Sequence, residues 1–368
     1  MKSPLIFVSA GDPSGDIAAS LMVRELAIMR PGLSTFGLGG KQMASSGQKQ
    51  LAKPEDLAVI GFWEVIKRIG YFRELMHRTV KEIEQRKPAC IVLVDYPGFN
   101  LRLAKRIKHL KIPIIYYISP QLWAWGGKRI SQMRELVDEV LVILPFEADF
   151  YAGTGVKASF VGHYLLEDIP AHMISSPVPS SKQLALLPGS RPQEIERMLG
   201  PMCEAAALFC RKHGFTAVVA GMHNGFDYDR ILARFRGDPI TIDYDRSREI
   251  IDSSALALTA SGTATLETGI IGRPMVIIYK TGFITYQIAR HLVTVDKIGL
   301  INLVLAENVM PELIQGQATP ERIADALERF VVDHAYLQQG LDKLQRVPDV
   351  LKGRGASRRA ATAIAEFL

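Results

Sequence analysis

Short, β-branched apolar runs alternate with helical stretches along the whole chain. The runs fall at 5–9, 91–94, 114–118, 140–143, 160–161, 183–187, 216–220, 256–259 and 275–279. Each is apolar at successive rather than alternate positions, so both faces of the strand are expected to be buried. Helical stretches between such strands make the sheets parallel and the fold class α/β. One linker-like stretch, S-S-P-V-P-S-S at 175–181, falls near the midpoint. It predicts two α/β domains of similar size, 1–174 and 182–350, followed by an Ala-rich basic helix at 351–368 that docks back on one of them.

One helical segment differs from the rest. Between 59 and 86, Phe62, Val65, Ile66, Ile69, Phe72, Leu75, Met76, Val80 and Ile83 form an apolar stripe at helical spacing, widened by Trp63 and Tyr71. Lys67, Arg68, Arg73, His77 and Arg78 occupy the other faces, and Gly61 and Gly70 weaken any single uninterrupted helix. Core packing is the ordinary cause of such a stripe. Aromatic residues beside basic ones also suit a helix lying in a membrane interface, with Phe62, Trp63, Ile66 and Ile69 as the inserting side chains.

Composition narrows the class. The 368 residues are 48% hydrophobic and 22% charged, a globular balance that excludes a disordered or fibrous chain. The three cysteines, Cys90, Cys203 and Cys210, have neither disulfide-framework nor zinc-ligand spacing and read as buried thiols. No run reaches the roughly 18 apolar residues of a membrane span, and the first apolar run is too short for a secretory signal. A soluble cytosolic protein is expected. The net charge of +6 favours an anionic partner without naming it. Exposed-looking basic clusters lie at 102–111, at 67–78 and at 352–359, each also readable as a solvated helix face.

Chemistry is expected where apolar strands end. The first strand runs into G-D-P-S-G-D at 11–16, a glycine-bearing turn at a helix start, which reads as one wall of an acceptor cleft through Gly11, Ser14, Gly15 and Asp16. It is not G-x-G-x-x-G, and its carboxylates would repel a pyrophosphate. The run at 91–94 ends in D-Y-P-G-F-N, which places Asp95 at the carboxyl end of a parallel strand. Asp95 is the candidate general base, with capping of the next helix as the alternative. The run at 114–118 leads into S-P-Q-L-W-A-W, where Trp123 and Trp125 suit sugar stacking as well as ordinary packing.

In the second half, L-L-P-G-S-R at 186–191 and T-A-S-G-T-A-T-L-E at 259–267 have the form of a diphosphate cradle. Gly189, Ser190, Arg191, Ser261, Gly262 and Thr263 would supply N–H groups, hydroxyls and a cation. Glu267 is placed to accept from a ribose. Asp243-Tyr244-Asp245 has D-x-D spacing, but acids between a strand and a helix start commonly cap helices, and no metal is expected.

Taken in order, G-D-P-S-G-D, D-Y-P-G-F-N, I-S-P-Q-L-W-A-W, L-P-F-E at 144–147, F-V-G-H at 160–163, L-L-P-G-S-R and T-A-S-G-T-A-T-L-E resemble the lipid-A-disaccharide synthase family over about residues 5–327. The resemblance implies two Rossmann-like domains with parallel sheets facing a cleft, the GT-B architecture. It implies an inverting, metal-independent and cofactor-free glycosyltransferase. Its substrates would be UDP-2,3-diacylglucosamine and 2,3-diacylglucosamine 1-phosphate (lipid X). The acylated substrates imply peripheral contact with the cytoplasmic face of a Gram-negative inner membrane. A homodimer is compatible with this reading, and nucleic acid is not an expected partner. By the same resemblance Asp95 and Asn100 are catalytic, Arg191, Ser261, Gly262, Thr263 and Glu267 bind the donor, and Asn302 joins them from downstream. Asp12-Pro13, Gly98 and Tyr164 depart from the family pattern. The alternatives are another GT-B UDP-sugar enzyme acting on a non-acylated substrate and a nucleotide- or nucleic-acid-binding regulator.

Overall fold

The computed structural model describes residues 4–52, 69–125, 128–281 and 297–368, the side chains at 69, 124, 125 and 128 excepted. The described residues form two compact units. One comprises Met1–Asp168 and Leu351–Leu368, the other Ile169–Val350.

The first unit is built on a parallel sheet of β1 (Leu5–Ala10), β2 (Ser34–Leu38), β3 (Lys49–Gln50), β4 (Cys90–Val94), β5 (Ile114–Tyr117), β6 (Glu139–Val142) and β7 (Ala158–Phe160). Its order is β3-β2-β1-β4-β5-β6-β7. β4 and β5, in the middle of the sheet, are buried at every position, as expected where helices cover both faces.

The second unit has β8 (Gln183–Leu187), β9 (Thr216–Gly221), β10 (Ile240–Tyr244), β11 (Leu256–Ala260), β12 (Met275–Tyr279) and β13 (Glu312–Ile314), in the order β10-β9-β8-β11-β12-β13. The expected runs match nine of these strands to within a residue or two. β2, β3, β10 and β13 lie outside them, and β10 (I-T-I-D-Y) carries polar residues and none that is fully buried. Gly37 interrupts β2, while β3 and β13 have only two and three residues, too short to show a period.

Local sequence explains the helices that frame the first unit. In helix Pro13–Met29, Asp12 caps the start, a proline opens the first turn, and Ala18, Ala19, Met22, Val23 and Leu26 form the buried stripe. Helix Ala356–Ala365 packs against it, and its Ala356, Ala360 and Ala361 are buried. Arg359 stitches this helix to the strand end after β7. Its Nε donates to the Val161 carbonyl at 2.7 Å, and its other nitrogens donate to the carbonyls of Lys352 and Arg354. In the second unit Ser176 of the 175–181 segment is held in place. Arg273, buried, donates to the Ser176 carbonyl and hydroxyl at 2.7 Å each and pairs with Asp252 at 3.0 Å.

The apolar stripe divides. In helix Ile69–Arg86, Leu75, Met76 and Ile83 are buried in the core of the first unit, with Tyr71, Phe72 and Val80 packed against it. That part is ordinary core. Phe62, Trp63 and Ile66 lie outside the described residues, as does the side chain of Ile69. Among the described residues no helix is long and apolar enough to cross a membrane.

Candidate functional site

Each sheet reverses its strand order once, between β1 and β4 in the first unit and between β8 and β11 in the second. At such a switch point the connections leave in opposite directions and open a crevice at the carboxyl ends of the two strands. Four of the motifs expected to carry chemistry follow those four strands, and S-P-Q-L-W-A-W follows the neighbouring β5.

In the first unit, Asp95 follows β4 with φ 44° and Tyr96 has φ 48°, while Ile118 after β5 has φ 63°. Left-handed backbone at three non-glycine residues, one of them β-branched, costs on the order of 1–3 kcal/mol each and needs surroundings that enforce it. Asn100 enforces it. Its Nδ2 donates to the carbonyls of Asp95 (2.8 Å), Val94 (3.2 Å) and Ser9 (3.3 Å), and its Oδ1 accepts from Ser9 Oγ at 2.7 Å. From β5, the Tyr116 hydroxyl donates to the Asp95 carbonyl at 2.6 Å. Asn100 is fully buried and brackets the strand ends. Both ends of its amide are engaged within the fold.

This frame sets the electrostatics of Asp95. Burial, reinforced by the charge of Asp12, pushes its carboxyl up to about 7, against a lowering backbone N–H from Tyr96. Asp12 is held by the turn itself, accepting the N–H of Gly15 at 3.2 Å and the Ser14 hydroxyl at 2.8 Å. Gly11 must lack a side chain, because a Cβ there would overlap the Tyr96 ring. Asp16 turns inward. Its carboxylate accepts the N–H groups of Gly40, Gln42 and Met43 at 2.7–3.1 Å, so it caps helix Lys41–Ser45 and shapes the turn from behind. Trp123, half-buried, donates its indole N–H to Glu147. Trp125 ends the same short helix, and its side chain is outside the described residues.

In the second unit, Gly189 follows β8 with φ 108°, and Ser190 and Arg191 are exposed beyond it. Arg191 pairs with Glu194 at 3.0 Å in a surface contact that an incoming anion can compete with. After β11, Gly262 has φ 149° and precedes helix Thr263–Ile271 without a side-chain cap. The first N–H groups of a helix have no partner within it, and the helix dipole favours an anion there. Ser261 donates its hydroxyl to the Ile298 carbonyl at 2.7 Å, which ties the turn to the segment after it.

Two expected donor contacts have internal partners. Glu267 accepts from Arg248 Nε at 3.1 Å and from a terminal nitrogen at 2.9 Å. Asn302 is fully buried, its Oδ1 accepting the N–H groups of Val309 and Met310 and its Nδ2 donating to Met310 and to Glu312 at 2.7 Å. Glu312 also accepts the N–H groups of Ile298 and Gly299. Asn302 and Glu312 thereby brace the segment that Ser261 contacts. Glu147, Arg248 and Glu312 were not expected from the motifs. Each acts through a partner distant in sequence, and L-P-F-E alone left a signal. In the D-x-D pair, Asp243 accepts from Tyr244 N–H and Arg246, and Asp245 pairs with His223 at 2.7 Å.

The comparisons agree with this geometry. Residues 6–366 match the family described as lipid-A-disaccharide synthetase. The lipid-A-disaccharide synthase of Myxococcus xanthus is 39% identical over 374 residues, covering 99% of this chain and 98% of that one. That of Anaeromyxobacter dehalogenans is 39% identical over 365 residues, covering 97% and 95%. Among solved structures, a glycotransferase of kitacinnamycin has a TM-score of 0.67 at 14% identity, covering all of both chains. A UDP-GlcNAc 2-epimerase from Neisseria meningitidis has a TM-score of 0.66 at 11% identity, covering 99% and 100%. The two structures share the fold, which is the GT-B form of α/β.

The raised carboxyl of Asp95 has a consequence for stability. Its ordinary value is 3.8 and its folded value about 7, so the fold holds the proton longer than the unfolded chain does. Stability is therefore lost as pH rises from about 4 through 7, and the full loss is present above 7. Asp95→Asn removes the ionisation, and at pH 8 the variant is expected to be more stable than the parent by about 1–3 kcal/mol, the difference closing towards pH 4. Urea denaturation at the two pH values checks this. A variant less stable at pH 8, or equally shifted at both, contradicts it.

Proposed function

This chain belongs to the lipid-A-disaccharide synthase family, and from that premise we propose that it joins UDP-2,3-diacylglucosamine to 2,3-diacylglucosamine 1-phosphate with inversion, releasing UDP. It is a hexosyltransferase. The observation that carries the mechanism is the half-buried Asp95, held on left-handed backbone at a switch point with its carboxyl near 7. A carboxylate with that value is a far better proton acceptor than an exposed one and is still ionised in half or more of the molecules at neutral pH.

Asp95 takes the proton of the acceptor 6-hydroxyl as its oxygen bonds to the donor anomeric carbon. The bond from that carbon to the diphosphate breaks, and UDP leaves with the electron pair. Charge grows on the sugar ring as an oxocarbenium-like state and on the departing diphosphate. Arg191 and the N–H groups at Gly262 and Thr263 stabilise the diphosphate, with Gly189 and Ser190 shaping the approach. Gly11, Ser14 and Gly15 form the acceptor side of the Asp95 crevice, Asn100 keeps Asp95 in place, and Glu267 and Asn302 order the donor region.

Acyl chains keep both substrates at a bilayer, so the enzyme would work at the cytoplasmic face of the inner membrane. Arg102, Lys105, Arg106, Lys108 and Lys111 support this, being exposed along helix Pro97–Ile107 and the turn after it, with no acid among residues 97–111. Each such charge adds about 1 kcal/mol near an acidic surface. The apolar anchor would be Phe62, Trp63, Ile66 and Ile69.

Release of UDP from the two acylated substrates tests the reaction. Asp95→Asn should lose about 10²–10⁴-fold in kcat with UDP affinity intact, since it removes only the base. Arg191→Ala should weaken UDP binding by roughly 10- to 100-fold, as expected for loss of a charge-assisted contact. More than about a tenth of normal kcat in the first variant, or unchanged UDP affinity by calorimetry in the second, contradicts the assignment. For the membrane, a variant with Phe62, Trp63, Ile66 and Ile69 all replaced by Ser should sediment less with anionic vesicles and keep its melting temperature. Loss of folding, as expected on emptying a core, or undiminished sedimentation would return these residues to packing.

A further inference from the structure

The L-P-F-E segment holds a carboxylate that the proposed reaction does not use. Glu147 is 2% exposed and lies just beyond β6. Its Oε2 accepts the backbone N–H groups of Ile143 at 3.3 Å and Leu144 at 3.0 Å, and its Oε1 accepts the indole N–H of Trp123 at 3.3 Å. Burial pushes the carboxyl up to about 7 against these three donors. All three neighbours donate, so only a group that accepts at both oxygens can satisfy them together.

The turn that carries Trp123 is fixed to helix Pro145–Tyr151 at two further points. Ser119 Oγ and the Tyr151 hydroxyl are 2.7 Å apart, and the Trp123 ring meets Phe146 edge to face with centroids 5.0 Å apart. This turn follows β5, the strand next to the one that ends at Asp95, and Tyr116 of β5 bonds the Asp95 carbonyl directly. The backbone N–H of Leu144 is the capping-box contact of Glu147 at the start of helix Pro145–Tyr151, and the indole of Trp123 is a further donor outside that cap. Orienting an indole requires a directional acceptor.

We propose that Glu147 is a positioning residue for the acceptor, holding the Trp123 indole so that its face receives the apolar C–H face of the acceptor glucosamine while Asp95 meets the hydroxyl. The inference rests on the reading of Asp95 as the base towards an acylated acceptor. It adds a residue that contacts neither substrate and sets the affinity for one of them.

Glutamine distinguishes this role from a purely structural one. In Glu147→Gln the amide oxygen keeps the two backbone N–H groups, which retains the helix start, and the amide NH₂ then faces the indole N–H, donor against donor. Steady-state kinetics on Glu147→Gln, Trp123→Phe and the double variant should show the acceptor KM raised about tenfold in each single variant, the worth of one such hydrogen bond. The donor KM and UDP affinity should not move, and the double variant should be no worse than the weaker single one. An unchanged acceptor KM in Trp123→Phe, an equal rise in both KM values, or multiplication of the two effects would overturn the proposal. Trp123→Phe carries the test alone if Glu147→Gln does not fold. A parent enzyme that releases no UDP from the acylated pair would overturn the reading beneath it, whereas a normal parent with normal variants overturns the positioning role only.

Discussion

The strand ends of the first unit are held by one buried amide. Asn100 joins the end of β1, through Ser9, to the end of β4, through the carbonyls of Val94 and Asp95. Without those bonds the Tyr116 hydroxyl would be left to hold left-handed backbone at Asp95 and Tyr96, where a less constrained chain would relax towards ordinary extended geometry. The Tyr96 ring would leave its place over Gly11, and Asp95 would gain water and return towards an ordinary carboxylate. Buried polar networks of this kind define a geometry only when every member has its partner.

The two units use one topology for opposite electrostatics. At the first switch point the turn after β1 supplies Asp12 and the turn after β4 supplies Asp95, an acidic crevice suited to removing a proton. At the second, Arg191 and the start of helix Thr263–Ile271 present a cation and N–H groups, suited to a leaving diphosphate. The acids that brace the second site, Glu267 and Glu312, are committed to Arg248, Asn302 and backbone N–H groups. Their charge is thereby offset within the unit.

Much of this was legible in the sequence because strand ends announce themselves. An apolar run closed by Asp, Pro and Gly places a carboxylate at the end of a strand, so the position of Asp95 could be found from its neighbours. Asn100 and Asp16 could be located in the same way, but not their partners. Ser9 is 91 residues from Asn100 and Gly40 is 24 from Asp16, and only those contacts distinguish a bracket from a reacting group. The stripe in 59–86 shows the same limit. Periodicity identifies an apolar face, but which part of it packs against Phe36 and Leu93 is decided by tertiary structure. Short strands such as β3 and β13 carry no period of their own and form because a neighbouring strand offers its edge.

The central claim is that burial at the end of β4 makes Asp95 a base matched to neutral pH. The pH dependence of kcat/KM with the acylated acceptor tests it most directly, because that profile reports the free enzyme's ionisations. The account predicts an acidic limb that rises about tenfold per pH unit and levels near 7, and that is absent from the residual rate of Asp95→Asn. A profile that is flat from pH 5 to 8, or one that levels near 4, would contradict it.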